Sequence, residues 1–240
     1  YLEKDYECLI TVDILCHGVP SQKYLDSYLK DISKGKEIKS VNFRDKKMGW
    51  NCDNIVIKFT DNTEYIGRRA GNIPDAYVGA FKGDMMSRKV CYDCQYAVFP
   101  RQGDFTMGDL WNWEKLDPKS NDKKGTSFVF LNSKKGESVF DVIRQSAKYV
   151  NEIMVKDYNT IPNRVYAKRK EYPGRRRFIN LMKRKPFSEA YSYVKKGIYD
   201  VGMLGYMNTP NIGSVLTYYA LYHVLTDIGY EVLPIERPKD

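Results

Sequence analysis

Five cysteines are spread through 240 residues: Cys8, Cys16, Cys52, Cys91 and Cys94. Cys91 and Cys94 have a spacing that suggests chemistry by itself, because a Cys-x-x-Cys turn brings two thiolates to one side, close enough to share a metal ion or cluster. The pair supplies half a site. Cys16 ends an apolar run, where a strand end presents its side chain outward, and is the candidate third ligand, with His17 beside it as an alternative donor. A zinc site of Cys16, His17, Cys91 and Cys94 satisfies the ligand count, and a hydrogen-bonded knuckle without metal satisfies the same spacing. Cys8 and Cys52 lie near predicted strand edges and read as small apolar residues.

An odd, sparse set of cysteines builds no disulfide framework in a chain of this length, so the thiols are expected reduced and available as ligands. No run approaches the roughly 18 apolar residues of a membrane span, and Glu3, Lys4, Asp5 and Glu7 stand where a secretion signal would be apolar. A cytoplasmic protein without a membrane span is expected. Both ends of the sequence read as cut. Lys and Arg number 39 against 30 Asp and Glu, a formal charge of +9, which favours anionic partners without choosing among them. The excess gathers in Arg164, Lys168, Arg169, Lys170, Arg175, Arg176, Arg177, Lys183, Arg184 and Lys185, interleaved with Tyr166, Tyr172 and Phe178. That pattern is either an electrostatic footprint for nucleic acid or a solvated helix face.

The elements that must position these groups alternate in type. Residues 9–15 read as a buried strand ending at Cys16-His17-Gly18, and Tyr24, Leu25, Tyr28, Leu29 and Ile32 follow at helical spacing. Residues 38–43, 54–59 and 63–66 form a β-meander, the last two joined by a turn through Asp61-Asn62. A helix is predicted over 74–82, a loop over 88–94, a shaped turn with a short strand over 103–111, a buried strand over 126–131 and a helix over 136–148. A basic helical stretch follows Pro173-Gly174. The pattern then restarts with a strand at 199–205, a polar loop at 208–211, an amphipathic helix at 212–228 and a strand at 230–235, a β-loop-α-β unit of the kind that opens a nucleotide-binding sheet. The expected fold class is therefore α/β: a mixed α+β main domain with a β-meander over 1–196, then a Rossmann-like, GT-B-like fragment over 197–240.

Four strings occur in order: Asp13-Ile14-Leu15-Cys16-His17-Gly18-Val19-Pro20-Ser21, Val41-Asn42-Phe43-Arg44-Asp45-Lys46 with Gly49-Trp50, Cys91-Tyr92-Asp93-Cys94, and Gly108-Asp109-Leu110-Trp111. Together they resemble the C-terminal domain of the coenzyme F420 hydrogenase/dehydrogenase beta-subunit family over about residues 1–190. The resemblance implies an oxidoreductase module that passes electrons between a [4Fe-4S] cluster and a soluble hydride carrier by way of a flavin, FAD or FMN. The carrier is coenzyme F420 in methanogens and is open here. It also implies that Cys16, Cys91 and Cys94 are cluster ligands, that a fourth cysteine lies in a preceding segment, and that an upstream ferredoxin-like domain or subunit is the partner. On this reading Arg44, Lys46 and Arg88 neutralise flavin phosphates, and Trp50 or Trp111 covers an aromatic ring. For Trp111 core packing is the competing role.

Residues 200–232, with Asn208-Thr209-Pro210-Asn211-Ile212-Gly213-Ser214 at a predicted helix start, resemble the opening of polysaccharide pyruvyl transferases. That resemblance implies a sugar or polysaccharide precursor as a further partner and a phosphate site at the helix N-terminus, for which a plain helix cap is the alternative. Two rival functions use the same residues: a scaffold joining a ferredoxin-like domain to a sugar-modifying one, and a basic nucleic-acid-binding or zinc-binding module.

Overall fold

A computed structural model describes residues 4, 6–47, 49–50, 54–67, 74–110, 124–152, 168–205 and 211–236. In chain order its elements are β1 (Val12–Ile14), α1 (Gln22–Ser33), β2 (Ile38–Asp45), β3 (Asn54–Phe59), β4 (Glu64–Gly67), α2 (Ala76–Lys82), α3 (Lys89–Tyr92), β5 (Phe105–Asp109), β6 (Ser127–Leu131), α4 (Lys134–Ser146), α5 (Arg175–Leu181), α6 (Phe187–Lys196), β7 (Val201–Gly205), α7 (Ile212–Asp227) and β8 (Val232–Glu236). This mixture of helices and small sheets is the expected α/β class. The chain gathers into two units, Tyr1–Gln22 with Gly35–Tyr172, and Lys23–Lys34 with Pro173–Asp240. The domain boundary expected at 197 falls inside the second, between α6 and β7.

The first unit holds two sheets. In one, β5 is central, with β1 parallel on one side (Val12 opposite Phe105) and β6 antiparallel on the other (Thr106 opposite Phe130). One expectation sharpens here and one changes. The short strand expected within the shaped turn at 103–111 is the central strand of the sheet, Phe105–Asp109, because Phe105 and Thr106 are buried between two neighbours. The strand expected over 9–15 shortens to three residues and is not buried; it pairs on one side alone, which leaves Ile14 68% exposed. Asp104 fastens this sheet. Its carboxylate accepts from the Thr11 N–H and hydroxyl at 2.9 and 2.8 Å and from the Ser133 hydroxyl at 2.6 Å, and Ser133 in turn caps α4 through Gly136 N.

The other sheet is the meander β2-β3-β4, antiparallel throughout, with Ile55 and Ile57 fully buried. Asp75 joins it to α2: one carboxylate oxygen caps the helix at Tyr77 N, and the other accepts from the Tyr65 hydroxyl at 2.9 Å.

In the second unit α1 packs on α5 and α6 through Tyr28, Phe178, Leu181 and Phe187, all without exposed surface, with Phe178 and Phe187 edge to face at 5.4 Å. Each such side chain contributes about 1.5–3 kcal/mol by leaving water. The basic stretch after Pro173 is thus two short helices, divided at Pro186, which has no N–H to continue the first. Strands β7 and β8 pair in parallel around α7, with Met203, Tyr218 and Val232 as their core. Helix α7 is not amphipathic as expected. Two strands cover its Tyr218, Tyr222 and Leu225 side, and its opposite side is also apolar, with Ile212 and Leu216 exposed.

Candidate functional site: the Cys16–Cys91 corner

Cys16 lies two residues beyond β1 and Cys91 within the single turn of α3, yet one backbone segment holds both. Residues Gly18 to Pro20 run antiparallel to Ser87-Arg88: Pro20 bridges Ser87, and Arg88 N donates to Val19 O at 3.0 Å. Two successive amides of that segment then point at sulfur. Gly18 N donates to Cys16 Sγ at 3.3 Å, and Val19 N donates to Cys91 Sγ at 3.4 Å. Gly18 makes the turn possible, since its φ of +104° suits glycine alone and an added Cβ would stand 2.7 Å from Ser87 Oγ.

Cys94 follows α3, its carbonyl accepting from Ala97 N at 3.2 Å. Cys8, Cys16, Cys91 and Cys94 are free thiols, and Cys16 is exposed; Cys52 lies outside the described residues. Among the described residues no group of three His, Cys, Asp or Glu side chains stands in metal-binding arrangement.

Several residues that hold the corner carry no signal in the sequence. Tyr92, between the two cysteines, donates its hydroxyl to Asp84 O at 2.6 Å. Asp84 has φ of +62° and pairs with Arg169 through its carboxylate. Lys168 reaches Asp93 at 2.5 Å and holds its carboxyl below the usual range. Arg101, 5% exposed, ties the chain after the cysteines to Asp13 in β1.

His17 makes its contacts through Nε2. Its Nε2 lies 2.9 Å from both Phe81 O and Arg169 Nη2, and its ring packs on Phe81 at 4.5 Å. One nitrogen cannot donate to the carbonyl and accept from the guanidinium at once, so a single tautomer serves one of the two.

Three of the five candidate flavin residues, Arg44, Lys46 and Trp50, form a cluster. The Arg44 guanidinium and the Lys46 ammonium lie 4.4 and 4.6 Å from the Trp50 ring centre, and Arg44 also pairs with Asp109 at 2.8 Å. Gly125, with φ of +91°, presses on the same ring, where an added Cβ would overlap the indole. Arg44 is therefore neutralised by Asp109, within the Gly108-Asp109-Leu110 string that shares its motif set. Arg88 is exposed at the start of α3, and its side chain makes no ion pair among the described residues. Trp111 lies outside the described residues.

Five of the ten cations of the basic stretch are paired within the chain: Lys168 with Asp93, Arg169 with Asp84, Arg177 and Arg184 with Glu231, and Lys185 with Glu189; Arg164 lies outside the described residues. These cations serve intramolecular contacts. At the start of α7, Asn211 Oδ1 accepts from Ser214 N at 3.3 Å, a helix cap. Among the described residues no helix is long and apolar enough to cross a membrane.

Comparison with known proteins matches residues 2–156 to one family, described as the C terminus of the coenzyme F420 hydrogenase/dehydrogenase beta subunit. No curated protein and no solved structure matches the chain significantly.

Proposed function

The chain belongs to the coenzyme F420 hydrogenase/dehydrogenase beta-subunit family, an oxidoreductase-associated family, and from that premise we propose that it is an electron-transfer module with a thiolate-bound cluster at the Cys16–Cys91 corner. The observation that carries this reading is the pair of adjacent amides, Gly18 N and Val19 N, each donating to a different cysteine sulfur. Backbone N–H groups aimed at sulfur stabilise thiolates and tune iron-sulfur potentials. A turn that serves two cysteines 75 positions apart suits a shared centre better than it suits two unrelated thiols.

Cys16, Cys91 and Cys94 would hold a [4Fe-4S] cluster, with the fourth ligand supplied from a preceding segment of the protein, where a ferredoxin-like partner is also expected. A bound flavin, FAD or FMN, exchanges two electrons with a hydride carrier and releases them singly, which joins such a carrier to a one-electron centre. The protein's share is to hold and orient. Exposed Arg88, three residues from Cys91, and Lys46 are the cations proposed for a flavin phosphate. Trp50 keeps Lys46 and Arg44 in place by cation–π contact. Coenzyme F420 and other soluble carriers are alternative hydride partners. The unit β7-α7-β8 is proposed as the opening of a transferase-like domain, with a sugar precursor as its partner.

The test is anaerobic reconstitution of the full chain with iron, sulfide and FAD or FMN, read by absorption and paramagnetic resonance. A flavin signal is expected, with a cluster signal that disappears in Cys16→Ser and Cys91→Ser and persists in Cys8→Ser. Equal loading of all three variants would sink the proposal.

A further inference from the structure

We propose that Cys16 and Cys91 are a dithiol that closes reversibly into a disulfide, with oxidised glutathione or a similar low-molecular-weight disulfide as the oxidant. The bond needs two sulfurs and no metal ion, so the inference stands apart from the proposed cluster.

The observation that carries it is the placement of both sulfurs on one short turn. Cys16 Sγ accepts from Gly18 N at 3.3 Å and Cys91 Sγ from Val19 N at 3.4 Å. Amide nitrogens of successive residues are about 3–4 Å apart, so the two sulfurs share one neighbourhood. Cysteines joined by a disulfide have Cα atoms roughly 4.4–6.8 Å apart, which segments distant in sequence reach only where other contacts pin them side by side. The backbone supplies such contacts. Pro20 bridges Ser87, Arg88 N donates to Val19 O at 3.0 Å, and Cys91 N donates to Arg88 O at 2.9 Å. Farther along, Arg101 holds Asp13 of β1 and so ties the strand before Cys16 to the chain after Cys94.

Both thiols are free, and they differ in access: Cys16 is exposed and Cys91 half-buried. That division suits the two steps of exchange. The Cys16 thiolate attacks one sulfur of oxidised glutathione, forms a mixed disulfide and expels one glutathione thiolate. The Cys91 thiolate then attacks Cys16 Sγ, forms the internal bond and expels the second. The pair gives up two electrons and two protons, which leave with two molecules of reduced glutathione. Excess reduced glutathione runs the steps backward. Cys-x-x-Cys spacing alone would join Cys91 to Cys94, but the Val19 amide holds Cys91 Sγ at the turn that also serves Cys16. A closed pair withholds two of the three sulfurs proposed as cluster ligands, so oxidation blocks cluster assembly until a thiol reopens the bond. This consequence alone rests on the cluster reading.

The experiment incubates the reduced full chain anaerobically with mixtures of oxidised and reduced glutathione, blocks the remaining thiols with N-ethylmaleimide and maps peptides by mass spectrometry. A Cys16–Cys91 cross-link is expected, with Cys8 and Cys94 blocked as free thiols. Cys91→Ser should stop Cys16 at the glutathione adduct, and Cys16→Ser should slow the reaction of Cys91 on the order of tenfold, since exchange depends on access. A Cys91–Cys94 cross-link in the unaltered chain, separate glutathione adducts on Cys16 and Cys91, or no reaction would overturn the inference. These outcomes are read on the unaltered chain, so they decide even if a variant does not fold. The cross-linked chain is then given iron and sulfide with and without prior reduction by dithiothreitol. A cluster signal that appears only after reduction is expected. A cross-link with no cluster under either condition would overturn the cluster reading and leave the disulfide standing; a cluster in the reduced chain with no cross-link would overturn the disulfide alone.

Discussion

Arg101 and Asp13 meet across 88 positions of chain: Nε and Nη2 of the arginine lie 3.0 and 2.6 Å from the same carboxylate oxygen. The other oxygen of Asp13 accepts from Gly103 N at 3.0 Å, and Arg101 Nη1 donates to Tyr96 O at 2.8 Å. The strand that leads into Cys16 is thereby fastened to the chain that leaves Cys94. The Asp13 side chain keeps 27% of its surface exposed, so removing the arginine costs about 1.5–3 kcal/mol, the range for hydrogen bonds to charged groups. Arg101→Ala is expected to lower the stability of the chain by about that amount in urea titration, and a loss below about 1 kcal/mol would contradict the assignment.

A second prediction concerns acid. The Ser133 hydroxyl, the Thr11 N–H and the Thr11 hydroxyl hold the Asp104 carboxyl at about 2, down from 3.8. A carboxyl lowered in the folded state stabilises the fold above its unfolded value, and that contribution is lost as pH falls from 3.8 through about 2. Asp104→Asn should be less stable than the unaltered chain at neutral pH, and its melting temperature should fall less between pH 4 and pH 2. Parallel pH profiles for the two proteins would contradict this account.

Much of the fold was legible because its signals are local. The meander followed from alternating β-branched residues around Asp61-Asn62, and the β-loop-α-β unit from apolar runs on either side of a capped helix. The central place of strand β5 shows the limit. Gly103, Gly108 and two aspartates in one stretch look like a turn around a short strand, but Thr106 is buried and pairs on both sides, which is a consequence of distant neighbours. Cys16, Cys91 and Cys94 were legible as chemistry from residue type and spacing. Their supports were not, because Asp84, Tyr92, Arg101 and Arg169 act through contacts between residues far apart in sequence. Charge counting likewise could not show that Arg177 and Arg184 turn inward to one carboxylate.

That carboxylate supports a third prediction. Glu231 accepts from Arg177 Nε at 2.7 Å and from Arg184 Nη2 at 2.8 Å, and Arg184 Nη1 also reaches the carbonyls of Thr226 and Tyr230. The contacts bind α5 and the chain after it to the end of α7 and the start of β8. Glu231→Gln keeps the shape and removes the charge, so it is expected to cost about 1.5–3 kcal/mol, the range for hydrogen bonds to charged groups. Hydrogen exchange should then quicken in β7 and β8 and stay unchanged in the β2-β3-β4 sheet. Uniform quickening through both units would show that Glu231 supports the whole fold and not this junction.

The last prediction separates the two demands made on Gly18. Its φ of +104° lies where side-chain-bearing residues are strained, at a cost of about 1–3 kcal/mol. A Cβ there also meets Ser87 Oγ at 2.7 Å and Ser87 Cβ at 3.3 Å, and Ser87 has no exposed surface to move into. Gly18→Ala should therefore lower the melting temperature, by about 2–4 °C for each kcal/mol in a chain of this size. Adding Ser87→Gly removes the clash and leaves the backbone strain, so the double variant should recover part of the loss. Full recovery would show that the backbone conformation costs little and that packing against Ser87 alone selects glycine. No recovery would show that strain dominates. In either case Gly18→Ala displaces the amides that point at Cys16 and Cys91, so cross-linking of the pair by oxidised glutathione should fall further than the melting temperature alone accounts for. A variant destabilised as expected that cross-links at the unaltered rate would show that those two amides do not position the sulfurs.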